Sequence, residues 1–166
     1  ITEHYPKEQN ATDTIVLEAA GLATNAGVTG ASLQLRKGEV LGLGGVLGSG
    51  RTEIARALFG TDELTAGRIT LKGKAVNIRR EIDAIRAGIA LVPENRKYDG
   101  LFFNFRAAGN ITAASLAGLS RFGILNLKAE QDATQDLIRD LEISSQAEEK
   151  TVNFLSGGNQ QKIVVA

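Results

Sequence analysis

The chain has 166 residues, 43% apolar and 23% charged, with 19 glycines, 2 prolines, 6 phenylalanines and 2 tyrosines. That balance suits a globular domain that buries roughly 68–70% of its unfolded surface, and it excludes disordered, collagen-like and disulfide-stapled miniature classes. Its 19 basic residues match 19 acidic ones, so no global field gathers nucleic acid or anionic lipid; the lack of cysteine and the single His4 exclude thiolate zinc sites and Ser/His/Asp triads.

Residues 1–13, ITEHYPKEQNATD, are polar and aperiodic and read as a linker or arm. Residues 14–18 (TIVLE) and 31–35 predict strands, with a turn at Lys37 and Gly38, and residues 40–44 (VLGLG) predict a buried strand. A glycine-rich stretch over 45–50 leads into residues 52–59, where Ile54, Ala55, Leu58 and Phe59 fall at helical spacing before Gly60. Residues 68–71 predict a short strand, 81–87 a short helix ending at Gly88, and 89–92 (IALV) a second buried strand stopped by Pro93. After about Ala107 no strand pattern is visible. Ala113, Ala114, Leu116, Ala117 and Leu119 predict one helix, and residues 128–142 predict another with Ala133, Leu137, Ile138 and Leu141 on its apolar face. Alternating strands and helices followed by helices alone predict an α/β core over about 14–105 and a helical subdomain over about 106–166. No stretch has the 18 or so consecutive apolar residues of a membrane span. The chain lacks Met, starts at Ile1 and stops inside the apolar run 163–166, and so reads as a piece of a longer polypeptide.

Residues 45–52, GVLGSGRT, meet the phosphate-loop pattern GxxxxGK[ST] at every fixed position except the lysine, where Arg51 stands. Glycines suit such a loop because consecutive backbone N–H groups must wrap round a phosphate that side chains would exclude, and the following helix aims its positive end at the anion. Gly45, Gly48, Ser49, Gly50, Arg51 and Thr52 are therefore the candidate nucleotide-binding residues. Thr52 offers a hydroxyl to Mg²⁺ and Arg51 replaces a compact ammonium with a wide planar guanidinium, which favours binding over hydrolysis. A glycine-rich turn that only joins strand to helix is the bland alternative. A dinucleotide fold is disfavoured, because no GxGxxG can be laid on residues 42–50.

Residues 155–162, LSGGNQQK, precede a further apparent helix, with Ser156 as its N-cap and the N–H groups of Gly157 and Gly158 behind it. Taken alone this is also an ordinary capped helix start. Following GVLGSGRT, however, LSGG with an amide residue closely resembles the signature motif of the ABC-type ATPases, a P-loop NTPase family that binds ATP and Mg²⁺. The resemblance implies that Leu155, Ser156, Gly157, Gly158, Asn159 and Gln160 act on ATP held by an opposing sister domain, so that two domains sandwich two nucleotides.

A third segment, VPENRKYDGL over 92–101, puts Glu94 where ABC domains place a glutamine that senses Mg²⁺ and the γ-phosphate. A carboxylate there can ligate Mg²⁺ but repels phosphate, with Arg96 and Lys97 available to offset it; a solvated loop of compensating ion pairs is the alternative. VPENRK, Arg51 and LSGGNQQK together resemble the second, degenerate nucleotide-binding domain of the bacterial carbohydrate-uptake ATPases (ribose, galactose, arabinose and xylose type), over residues 12–166. That resemblance implies a sister domain in the same chain, membrane permease subunits, indirect work with a periplasmic sugar-binding protein, and a place at the cytoplasmic face of the inner membrane. It implies ATP-driven sugar import by the full-length protein. A non-transport ABC-type clamp is the alternative function, and no nucleic-acid partner is expected. The region after Leu101 is implied to face the permease, with two of Phe102, Phe103 and Phe105 expected in the core and one at the interface. Two departures stand out: no aromatic residue lies near 22–25 to stack on adenine, and the sequence stops before the Walker B strand, its acidic pair and the downstream histidine. The segment by itself is therefore expected not to hydrolyse ATP.

Overall fold

The computed structural model describes residues 10–144, 147, 148 and 150–166; His4 and the arm expected over residues 1–13 as far as residue 9 fall outside these. The chain divides into two compact units between Leu91 and Val92.

In the first unit, strands β1 (Ile15–Thr24), β2 (Ala31–Arg36), β3 (Leu64–Leu71) and β4 (Lys74–Val76) form an antiparallel sheet in the order β2-β1-β3-β4. β1 continues past the expected residue 18 because its alternation slips. Leu17 and Ala19 are buried, Gly21 then takes φ 61, and the buried set resumes at Leu22 and Thr24. A bulge of this kind moves the inward face from odd to even positions without ending the ladder, so strict period two fails while the strand goes on. Residue 12 is tied to the expected turn through Thr12 N–H donating to the Lys37 carbonyl at 2.9 Å.

Helices α1 (Arg51–Phe59) and α2 (Glu81–Ala87) both stop on a left-handed glycine, Gly60 and Gly88. Gly60 is also sterically required, since a Cβ there would come within 2.8 Å of the Arg80 backbone and of Ile78 Cγ2. The sheet and helices enclose Ala19, Leu22, Ile69, Ile78 and Ala84, with Leu33, Leu58 and Phe59 packed against them. Arg56 Nε reaches both oxygens of Asp62 at 3.0 and 3.1 Å and fixes the end of α1.

The segments VLGLG over 40–44 and IALV over 89–92, expected as buried strands, belong to no sheet among the described residues. Val40 is 97% exposed, and Leu41, Leu43 and Val92 are exposed as well. An apolar run marks a segment fit for burial, but a buried strand also needs ladder partners on its edges and cover on both faces, and the described residues supply neither.

The second unit begins with a π-helical turn over Arg96–Gly100, then α3 (Ala107–Ile111), a 3₁₀ turn over Ala113–Ser115 and α4 (Leu116–Leu119). The single helix expected over 113–119 is thus broken. Buried Thr112 caps α3, its hydroxyl lies 2.9 Å from the Ala108 carbonyl, and Ser115 N–H donates to Thr112 O in a tighter turn. A two-residue hairpin that the sequence reading missed follows, β5 (Ser120–Arg121) and β6 (Ile124–Leu125), turning at Phe122 and Gly123 with φ 52 and 77. Its strands are too short to show alternation.

Helix α5 (Leu127–Asp140) lies close to its expected bounds and turns Ile138, Leu137 and Leu141 toward the core made by Ala107, Ile111, Ile143, Val152 and Ile163. Asn126 caps it, its side chain accepting from Ala129 N–H at 3.1 Å. Asn126→Ala removes that acceptor at a cost of about 1 kcal/mol, so amide exchange in the first turn of α5 is expected to quicken about fivefold. Unchanged exchange there would show the cap to be idle.

The expected two-to-one split of the three phenylalanines is inverted: Phe103 alone of them packs against the core, while Phe102 and Phe105 are each 58% exposed. Phe105 N–H donates to Phe102 O at 2.9 Å, and this turn brings their rings onto one side, stacked with centroids 5.5 Å apart. Asn110 fixes the turn by accepting from Phe102 N–H at 2.7 Å.

Candidate functional site

The glycine loop joins residue 44 to α1 in the first unit, with Gly48 at φ 78 and Gly50 at φ 88. These are left-handed conformations that a side chain would strain. At Gly45 a Cβ would collide with the Ser49 side chain, which folds back over it. Ser49 N–H donates to Val46 O at 3.1 Å, closing the turn, and Gly50 leads straight into the first turn of α1. The N–H groups of that turn have no intrahelical partner and carry the positive end of the helix dipole. A phosphate fits this loop by geometry and by charge.

Arg51 is exposed, and its Nη2 lies 3.4 Å from the Val46 carbonyl of its own loop. Thr52, also exposed, stands second in α1, where its hydroxyl suits a metal bridged to phosphate. No group of three acidic, His or Cys side chains able to hold a metal exists among the described residues. A single hydroxyl such as that of Thr52 suits Mg²⁺ only where phosphate oxygens and water supply most of its ligands.

Beside the loop is a cavity of about 260 Å³ lined by residues 26–29, Ala31, residues 48–50, Glu53 and Ile54. Its large apolar side chains are Val28 and Ile54, and among the described residues no aromatic ring lines it. The residues that shape it are spread over a loop, a strand start and a helix, so no single motif announced it. Glu53 was visible beside Thr52 but matches no motif position.

In the second unit Asn95 opens the π turn by accepting from Lys97 N–H at 3.1 Å, and Glu94 is exposed just before it. Arg96, expected to offset Glu94, is held by α6 (Gly157–Val165): its Nε is 3.5 Å from Gln160 Oε1 and its Nη1 is 3.3 Å from Gln161 Oε1. A Cβ on Gly157 would lie 3.2 Å from Arg96 Nη2, so the guanidinium crosses the first turn of α6.

Ser156 is the N-cap of α6 as expected, accepting from Asn159 N–H at 3.3 Å. The six residues of the predicted motif divide into two groups. Ser156, Gly157 and Gly158 are exposed, whereas Leu155 packs against the core and Gln160 is buried, donating to the Val152 and Leu155 carbonyls at 3.1 and 3.2 Å. Asn159 accepts from Ser144 N–H at 3.2 Å. One group holds the segment and the other faces outward. Thr52 and the glycine loop stand in the first unit, and Glu94 and the LSGGN segment in the second.

A family model for ABC transporters matches residues 28–166, which include all three segments. The chain belongs to the ABC transporter family. Among its relatives, the ribose import ATP-binding protein RbsA of Bacillus cereus is 39% identical over all of this chain and 34% of its own length, and that of Oceanobacillus iheyensis is also 39% identical with the same coverage. The chain spans about a third of the length of these curated relatives. In fold it is similar to a nucleotide-free ATP-binding cassette from an ABC transporter, with TM-score 0.73 at 15% identity over 91% of this chain and 63% of the other. A dimeric bacterial ABC transporter cassette gives TM-score 0.70 at 17% identity over 90% and 67%. The α/β P-loop fold expected from the sequence is thus the fold of these ABC transporter cassettes.

Proposed function

We propose that this chain is the nucleotide-binding segment of a bacterial sugar importer of the ABC transporter family, coupling ATP binding and hydrolysis to import across the inner membrane. One observation carries the reading: a glycine loop at a helix N-terminus and an N-capped LSGGN helix start with Ser156, Gly157 and Gly158 exposed occur on one chain. Relatives named for ribose import at 39% identity supply the substrate class.

Gly45, Gly48, Ser49, Gly50 and Arg51 hold the nucleotide phosphates in this reading, Thr52 meets the Mg²⁺ that accompanies them, and Glu94 lies at the sensor position. Bound Mg²⁺ would neutralise phosphate charge. Leu155 to Gln160 serve a nucleotide held by a sister domain in the same longer polypeptide. Arg51 is drawn toward its own loop, which supports a site that binds nucleotide mainly to keep the two domains closed. Hydrolysis then belongs to the sister site, and this segment alone does not hydrolyse ATP. No helix of the described residues is long and apolar enough to cross a membrane. By its likeness to import ATP-binding proteins, the protein in this reading works peripherally, on the cytoplasmic face, against permease subunits, and a periplasmic sugar-binding protein acts through them.

The full-length protein, purified with its permease and placed in proteoliposomes, is expected to raise its ATP turnover when sugar-loaded binding protein is added. Turnover indifferent to both permease and sugar would overturn the importer reading and favour the non-transport clamp.

A further inference from the structure

Among the described residues, Glu53 is the only ionisable one lining the cavity beside the glycine loop, and it lies in the first turn of α1. Its carboxylate forms no ion pair among the described residues. An acid in the first turn stabilises an empty helix, because it answers the positive end of the dipole. A phosphate bound to the same N–H groups answers the same field. The two anions therefore compete for the same helix terminus, and as like charges they repel each other there.

The cations nearby do little to relieve this. Arg56 is engaged with Asp62 at 2.9 Å, which leaves Arg51 as the loop's own positive side chain. Arg51 and Glu53 cancel, so the loop offers an anion backbone dipoles with no net side-chain charge. A nucleoside triphosphate without metal brings its full negative charge into that environment, whereas complexation by a divalent cation cancels part of it before binding.

We propose that Glu53 makes the glycine-loop site selective for a nucleoside triphosphate in its divalent-cation complex over the same nucleotide without metal. The inference rests on the reading of this loop as a nucleotide site. It makes Glu53 a specificity-determining residue that weakens both forms, the metal-free form more. It also gives the empty loop a reason to keep the acid, since Glu53 holds the start of α1 in order until nucleotide arrives.

The test titrates full-length protein with ATP, in Mg²⁺ and in EDTA, and reads amide-exchange protection of peptides covering residues 45–58, which reports this site separately from any other. Glu53→Gln is expected to tighten metal-free ATP about tenfold and Mg²⁺-ATP about threefold, narrowing the preference between them. Glu53→Asp keeps the charge and is expected to keep the preference, and it covers the case in which Gln disturbs the helix. Equal binding curves for wild type and Glu53→Gln, or weaker binding by Glu53→Gln as expected of a carboxylate that accepts a ribose hydroxyl, would overturn the inference while leaving the nucleotide reading in place. No protection by ATP in any of the three proteins would overturn both.

Discussion

Ser156→Asp in the full-length protein is expected to lower ATP turnover about a hundredfold while leaving the start of α6 folded. The substitution separates two roles that Ser156→Ala would confuse. Ser156 caps α6 by accepting from Asn159 N–H, and Asp caps a helix as well as Ser does. What Asp adds is a negative charge on the exposed face formed with Gly157 and Gly158, where the terminal phosphate of the sister domain's nucleotide would sit. Like charges there would oppose closure of the two proposed sister domains, and the penalty would fall on the closed state to which the proposal assigns hydrolysis.

Arg51→Gln is the comparator and is expected to lower turnover far less. The Arg51 guanidinium already rests against the Val46 carbonyl, and in the proposed division of labour its site would hold nucleotide mainly for closure. Turnover and amide exchange over residues 156–160 together decide the matter. Equal losses of turnover from Ser156→Asp and Arg51→Gln would refute the division of labour, and rapid exchange in Ser156→Asp would trace its loss to unfolding of the cap.

What the sequence disclosed follows the range of the interactions concerned. The end of α2 was legible because Gly88 is a local stop signal, and the start of α6 because an N-cap needs only Ser156 and the amide three residues later. The motif residues of both the glycine loop and the LSGGN segment were legible for the same reason. The fate of residues 40–44 and 89–92 was not, because apolar composition records fitness for burial and not the presence of a partner strand. The division of Phe102, Phe103 and Phe105 between core and surface was not legible, because a turn closed by one backbone hydrogen bond decides which side the rings take. The Arg96 to Gln160 contact joins side chains 64 residues apart, and no periodicity or spacing rule encodes it. Sequence thus named Leu155 to Gln160 as one motif, and only the fold could show which of them face outward and what holds them in place.

That support can be measured. Gln160→Leu is expected to destabilise the start of α6 by about 2 kcal/mol, because it keeps the buried volume but withdraws the donor that serves the Val152 and Leu155 carbonyls. Leu155 N–H still donates to Val152 O at 3.1 Å, so the Leu155 carbonyl bears most of the loss. Arg96→Ala is expected to cost less than about 1 kcal/mol, since its bonds to Gln160 and Gln161 are long and it is only partly buried. The difference between the variants locates the support inside the segment and not in the clasp that crosses it. Because the turn over Val152–Phe154 and the Ser156 cap both lean on Gln160, the variant should speed amide exchange across residues 152–158 and lower the maximal ATP turnover of the full-length protein. Nucleotide protection of residues 45–58, in the first unit, should stay as in the wild type. A loss of that protection would mean that Gln160 supports the whole chain and not the LSGGN segment, and unchanged exchange over 152–158 would mean that the two carbonyls are satisfied without it.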